Sequence, residues 1–144
     1  MSETKNKINA LLKESMKARD QATVTTLRGL TAAIKQFEVD TRTEADEEKV
    51  VSIVQKEIKM RRDAIGFAKE QGREDLLTQN EAEVALLQKF LGEQLSEDEL
   101  MALIKEAITG GANNLGAIMG MLNKSHKGKF EGKIASELAK TLLS

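Results

Sequence analysis

Apolar residues recur along this chain at three- and four-residue intervals, and only helical signals emerge from the pattern. Residues 3–18 place Ile8, Leu11, Leu12 and Met16 on one face. A second helix, from about 21 to 39 with Asp20 as its cap, carries the stripe Val24, Leu27, Leu30, Ile34 and Phe37. The polar break DTRTEADEE precedes the longest helix. There Thr43 or Asp46 can accept the first free amides, and glutamates in the first turn complement the helix dipole. Its core face reads Val50, Val51, Val54, Ile58 and Ile65, and Gly72 offers the left-handed residue that ends helices. A fourth helix, about 73–91, presents Leu76, Leu77, Val84, Leu87 and Leu91. Four amphipathic helices with short connections pack most naturally as a bundle.

The segment LSEDEL at 95–100 is the sharpest local signal. Ser96 is an N-cap, Glu99 closes a capping box, and Leu95 and Leu100 stand at the staple positions. Gly92 ends the preceding helix, which puts a domain boundary near 92–95 and divides the chain into 1–92 and 93–144. Three short helices fill the second part. The first buries Leu100, Leu103, Ile104, Ala107 and Ile108 and ends at Gly110-Gly111. The second follows Asn113-Asn114 with Leu115, Ile118, Met119 and Leu122, and the third presents Ile134, Leu138 and Leu142. The expected fold class is therefore all-α, an N-terminal four-helix bundle followed by a small three-helix C-terminal domain.

Composition narrows the functions. A chain of 144 residues with formal charge −1 cannot attract nucleic acid as a whole and needs a local basic patch to do so. The absence of cysteine excludes disulfides, thiolate metal sites and thiol nucleophiles. Four phenylalanines, with no tyrosine or tryptophan, leave little on which single-stranded bases can stack, so any RNA contact should grip backbone and shape. The N-terminus is polar from its second residue, and no stretch reaches the ~18 apolar residues of a membrane span. The expected location on these grounds is cytoplasmic, with no membrane partner.

Candidate chemistry concentrates in NKSHKGKFEGK, residues 123–133. It holds Lys124, Lys127, Lys129 and Lys133, glycines 128 and 132 that let the backbone bend, and His126, the only histidine. His126 can serve as a base, but no neighbouring acid completes a triad with Ser125, so no catalytic residue is assigned. The lysines with the start of a helix near 132–134 suit phosphate, and equally suit a solubilising turn. A second basic cluster, Lys56, Lys59, Arg61 and Arg62 in QKEIKMRRDAI, is interrupted by Glu57 and Asp63. The four-residue spacing of Glu57–Arg61 and Lys59–Asp63 fits surface ion pairs, and RNA contact is the competing reading. No metal site is expected, because carboxylates lack both the Glu-x-x-His spacing and a glycine-centred calcium loop. No cofactor fingerprint is present either.

The blocks TLRGLTAAIKQ (26–36), QKEIKMRRDAI (55–65), GREDLL (72–77), FLGEQLSEDEL (90–100) and LGAIM…GKFEGK together resemble the YqeY family across nearly the whole chain. The resemblance implies a C-terminal domain akin to the helical tail of the B subunit of the tRNA-dependent amidotransferase (GatB), an enzyme that uses glutamine as amido donor and whose tail helps hold tRNA. Gly116, Ile118, Met119, Gly128, Lys129 and Gly132 keep the family frame. Ala117 and Gly120 stand where lysines are usual, Glu131 replaces an aspartate, and Gly92 replaces a proline. The implied function is that of an accessory protein associated with amidotransferase biology, binding tRNA through Lys124, Lys127, Gly128, Lys129, Gly132 and Lys133. The implied partners are tRNA and amidotransferase subunits. The ligase chemistry itself does not carry over, since nothing here matches its catalytic parts. Two alternatives stay open: a helical protein-interaction module without RNA binding, motivated by Met119, Met121 and Leu122, and an amide-transfer enzyme built on His126.

Overall fold

A computed structural model describes residues 2–144. The described residues form seven α-helices and no strand: α1 Glu3–Lys17, α2 Gln21–Thr41, α3 Glu47–Gln71, α4 Glu74–Gln88, α5 Glu97–Thr109, α6 Leu115–Ser125 and α7 Gly132–Leu143. The all-α class expected from the periodicity is the class adopted. The chain separates into two compact units, the first ending at Leu91 and the second running Gly92–Ser144.

In the first unit α4 lies chiefly along α3, and α1 packs on α2 and α3. Ile8, Leu27, Leu30, Val50, Val54, Ile58 and Leu87 are at most 1% exposed. Each such side chain contributes about 1.5–3 kcal/mol relative to leaving it in water. The helix ends follow cap chemistry. Asp20 accepts from the Thr23 amide, Asp46 (rather than Thr43) accepts from the Lys49 amide, and Gly72 closes α3 at φ +66°. The helix α2 runs to Thr41, where Arg42 at φ +55° stops it.

Met16 departs from the expected stripe and is 50% exposed, while the neighbouring Ser15 is buried. Polar ties hold α1 instead. The Glu47 carboxylate accepts from the Ser2 hydroxyl at 2.6 Å, the Thr4 amide at 2.9 Å and the Thr4 hydroxyl, and these bonds hold its pKa below the usual carboxylate range. The Glu38 carboxylate binds Lys5 Nζ at 2.8 Å and the Ala45 amide at 2.8 Å, which lowers its pKa in the same way.

The second unit opens with the expected capping box. The Ser96 hydroxyl accepts from the Glu99 amide, and the Glu99 carboxylate accepts from the Ser96 amide, each at 3.1 Å. Its core contains Leu100, Ile104, Ile118, Leu122, Phe130, Ala135 and Ala139, with Leu95, Met119 and Leu138 packed against it. On α7 the most buried residues are Ala135 and Ala139, both 0% exposed, rather than Ile134, Leu138 and Leu142, which are half-buried. Alanine at the contact line lets the helix approach closely, and the larger side chains flank the seam.

Candidate functional site

The stretch 123–133 spans the end of α6, a short turn and the start of α7. Three features fix the backbone of the turn. Gly128 sits at φ +81°, a left-handed conformation that side-chain-bearing residues avoid. The Leu95 amide donates to the Lys129 carbonyl at 2.8 Å, the Gln94 side-chain amide donates to the Gly128 carbonyl at 2.8 Å, and the Lys129 amide donates to the His126 carbonyl at 3.1 Å. Phe130 then enters the core at 6% exposure. The segment 92–95 and an aromatic anchor thus brace the turn.

On this frame Lys124, Lys127 and Lys129 are exposed and Lys133, in the first turn of α7, is half-buried. Lys127, Glu131 and Lys133 each take part in a polar or electrostatic contact. Glu131 precedes α7 without a side-chain cap bond. Gly132 has ordinary backbone angles and open space where a Cβ would stand, so only Gly128 supplies the bend expected of both glycines. Ala117, Gly120 and Lys124 are spaced three and four apart on α6 and are all exposed, forming one face beside the turn.

The His126 ring has the Ser125 hydroxyl as its close side-chain neighbour. That hydroxyl lies 2.9 Å from the Met121 carbonyl and 2.8 Å from His126 Nδ1. A hydroxyl has one proton. Whether it goes to the Met121 carbonyl or to Nδ1 depends on the His126 tautomer, and among the described residues no carboxylate is bonded to the ring to complete a triad. Among the described residues no group of three or more His, Asp or Glu is placed to hold a metal ion. No helix among them is long and apolar enough to cross a membrane.

The second basic cluster is organised differently. Arg61 Nε donates to Glu83 at 3.0 Å, and Nη1 donates to the Glu57 carbonyl at 3.0 Å and its carboxylate at 3.2 Å. The three side chains are 15–19% exposed. The Glu57–Arg61 pair expected from spacing is present, and Glu83 of α4 is a partner that spacing along one helix cannot reveal. Lys56 and Lys59 remain exposed on the outer face. The patch Met119, Met121 and Leu122 is mostly absorbed by the core: Leu122 is 0% exposed and the two methionines are half-buried against it.

Comparison with known proteins agrees with this architecture's sequence blocks. The family described as Yqey-like protein (YqeY) matches residues 5–143. Among curated relatives, "Altered inheritance of mitochondria protein 41, mitochondrial" of Pyrenophora tritici-repentis is 28% identical over 85% of this chain and 71% of its own length. The protein of the same name from Lachancea thermotolerans is 33% identical over 68% of this chain and 54% of its length. That from Vanderwaltozyma polyspora is 37% identical over 56% of this chain and 44% of its length. The chain therefore spans less than the whole of each relative, and only about half of the latter two. Their names overturn the expected cytoplasmic location, because these relatives are designated mitochondrial. A polar start and the lack of an apolar span do not bear on a mitochondrial location, because mitochondrial targeting segments are amphipathic and not apolar throughout. With nearly its full length matched, the chain belongs to the YqeY family.

Proposed function

We propose that this YqeY-family chain is a non-catalytic accessory protein that binds tRNA and thereby associates with the tRNA-dependent amidotransferase system. In this reading the second unit supplies the contact. The observation that supports it is the turn 126–131, which carries exposed Lys127 and Lys129 on a backbone braced by Gly128, segment 94–95 and Phe130, with Lys124 and Lys133 on the flanking helices. Cations carried on a braced backbone lose less freedom on meeting phosphate than cations on a mobile loop. The resemblance of this unit to the amidotransferase tail supplies the choice of tRNA.

The test is tRNA binding by the full chain across a salt series. Binding should weaken steeply with salt, and the triple variant Lys127→Ala, Lys129→Ala, Lys133→Ala should lower affinity about tenfold or more and flatten the log–log salt slope by about one per lysine. Affinity unchanged in the triple variant, or no binding at low salt, rejects the proposal. The alternative, an interaction module without RNA binding, keeps the partly exposed Met119 and Met121 of its motivating patch and loses Leu122, which is fully buried.

A further inference from the structure

Every arginine of the chain, Arg19, Arg28, Arg42, Arg61, Arg62 and Arg73, lies before Gly92, so the second unit carries lysine as its only fixed cation. Its one phenylalanine, Phe130, is 6% exposed and belongs to the core. These two facts constrain what the lysine turn can recognise. A guanidinium fork reads guanine edges by paired hydrogen bonds and stacks on bases, whereas an ammonium is a compact point charge suited to phosphate. Single-stranded RNA is held chiefly by stacking splayed bases on aromatic or guanidinium planes, and the surface of this unit offers neither. The remaining planar ring, His126, is half-buried with Nδ1 against Ser125 Oγ.

The backbone of the turn is also set in advance. Gly128 at φ +81°, the two bonds from Gln94 and Leu95, and the Phe130 anchor fix where the cations leave the chain. Lysine stems that leave the chain at set points suit a ligand whose phosphates are regularly spaced, as along a helical duplex. A flexible single strand would have to be ordered on binding with no stacking to compensate.

Resting on the RNA-binding reading above, we infer that the lysine turn engages the phosphate backbone of double-stranded RNA, independent of base sequence. The turn itself then supplies little sequence selectivity. Asn123, on the last turn of α6, is the only side-chain amide in the stretch that can pair with an adenine edge, and it is a single group.

Fluorescence anisotropy with the full chain tests this, using three probes of roughly twenty nucleotides or base pairs per strand, a length covering a duplex-binding footprint. The probes are an RNA duplex, a duplex of permuted sequence, and an unpaired uridine-rich strand. The two duplexes should bind within about twofold of each other and the single strand about tenfold more weakly, with Lys129→Ala lowering the duplex salt slope by about one. Equal or tighter binding of the single strand overturns the duplex inference and leaves the RNA-binding reading standing. A difference of about tenfold or more between the two duplexes overturns sequence independence. No binding of any probe, together with no binding of tRNA, rejects the RNA-binding reading and this inference with it.

Discussion

Arg61 on α3 and Lys129 in the α6–α7 turn both belong to short basic segments that resemble phosphate contacts in sequence. Arg61 is 16% exposed and donates to carboxylates on two helices, while Lys129 stands exposed on a turn whose backbone, not its side chain, makes the holding bonds. The first unit uses charge to fasten its own parts: Arg61 to Glu57 and Glu83, Lys5 to Glu38, and Glu47 to Ser2 and Thr4. At the α6–α7 turn of the second, backbone bonds and Phe130 do the holding while Lys129 stands exposed, and Lys127, Glu131 and Lys133 take part in contacts of their own. A basic cluster therefore says little about function until the carboxylates facing it from other helices are known.

The largest expected effect that sharpens this contrast is at Phe130. Replacing a buried phenylalanine by alanine typically costs 3–5 kcal/mol, and Phe130→Ala should cost about 3 kcal/mol. A unit of this size has little stability in reserve. The chain has neither tryptophan nor tyrosine, so far-UV circular dichroism in urea is the readout. The unfolding of the second unit should move to lower denaturant and the salt-sensitive RNA binding should fall with it. Full RNA affinity in a variant whose second unit has lost stability would show that the brace does not position the lysines.

Next is Arg61→Ala, which strands the Glu57 and Glu83 carboxylates with 15% and 19% exposure. Breaking a fully buried pair costs 3–5 kcal/mol and an exposed one under 1, so this partly screened pair should cost about 2 kcal/mol. The urea midpoint of the first unit should drop while tRNA affinity stays within about twofold, an amount that one lost non-contacting charge can account for. A large loss of affinity with the fold intact would place Arg61 in the RNA contact and erase the distinction between the two segments.

A gain of binding is expected from Ala117→Lys combined with Gly120→Lys. Both positions are exposed on the face of α6 that carries Lys124, and nothing lies within 4 Å of a Cβ placed at Gly120. Lysine also suits a helix better than glycine by several tenths of a kcal/mol. Two added phosphate contacts should tighten RNA binding about tenfold at low salt and steepen the salt slope by up to two. Unchanged affinity would mean that this face of α6 does not meet the ligand.

Much of this arrangement is legible from the sequence because helix ends are local events. Asp20, Asp46, Ser96 and Asn114 each accept from an amide three residues on, and Gly72 closes α3 in the left-handed region. The distribution of burial is less legible. Met16 fits the apolar period of α1 yet stands 50% exposed, while Ser2, Thr4 and Ser15 are buried. Ser2 and Thr4 hold the Glu47 carboxylate, more than forty residues away, and no periodicity encodes that partner. The same limit hides Glu83 from a reading of α3. At the turn, glycines and lysines are visible in the sequence, but the brace from Gln94 and Leu95 crosses 34 residues and appears only in the folded chain.

The smallest expected effect concerns how the first unit uses carboxylates, and it depends on pH. Hydrogen bonds from the Ser2 and Thr4 hydroxyls hold Glu47 below its ordinary value of 4.5 when folded. A carboxyl with a depressed folded pKa binds fewer protons folded than unfolded, so its contribution to stability is fully present above 4.5. That contribution is lost progressively as pH falls from 4.5 through the lower folded pKa. Glu47→Gln keeps the size of the side chain but removes the charge. Its deficit in urea midpoint relative to the parent chain should therefore be greatest at neutral pH and shrink toward zero well below 4.5. Hydrogen exchange should locate the loss at the start of α1, where Ser2 caps the helix, with α5–α7 protection unchanged. A deficit that does not change across the acid range would assign the bond at Glu47 to shape alone, and the first unit would then rely on charge less than its ion pairs suggest.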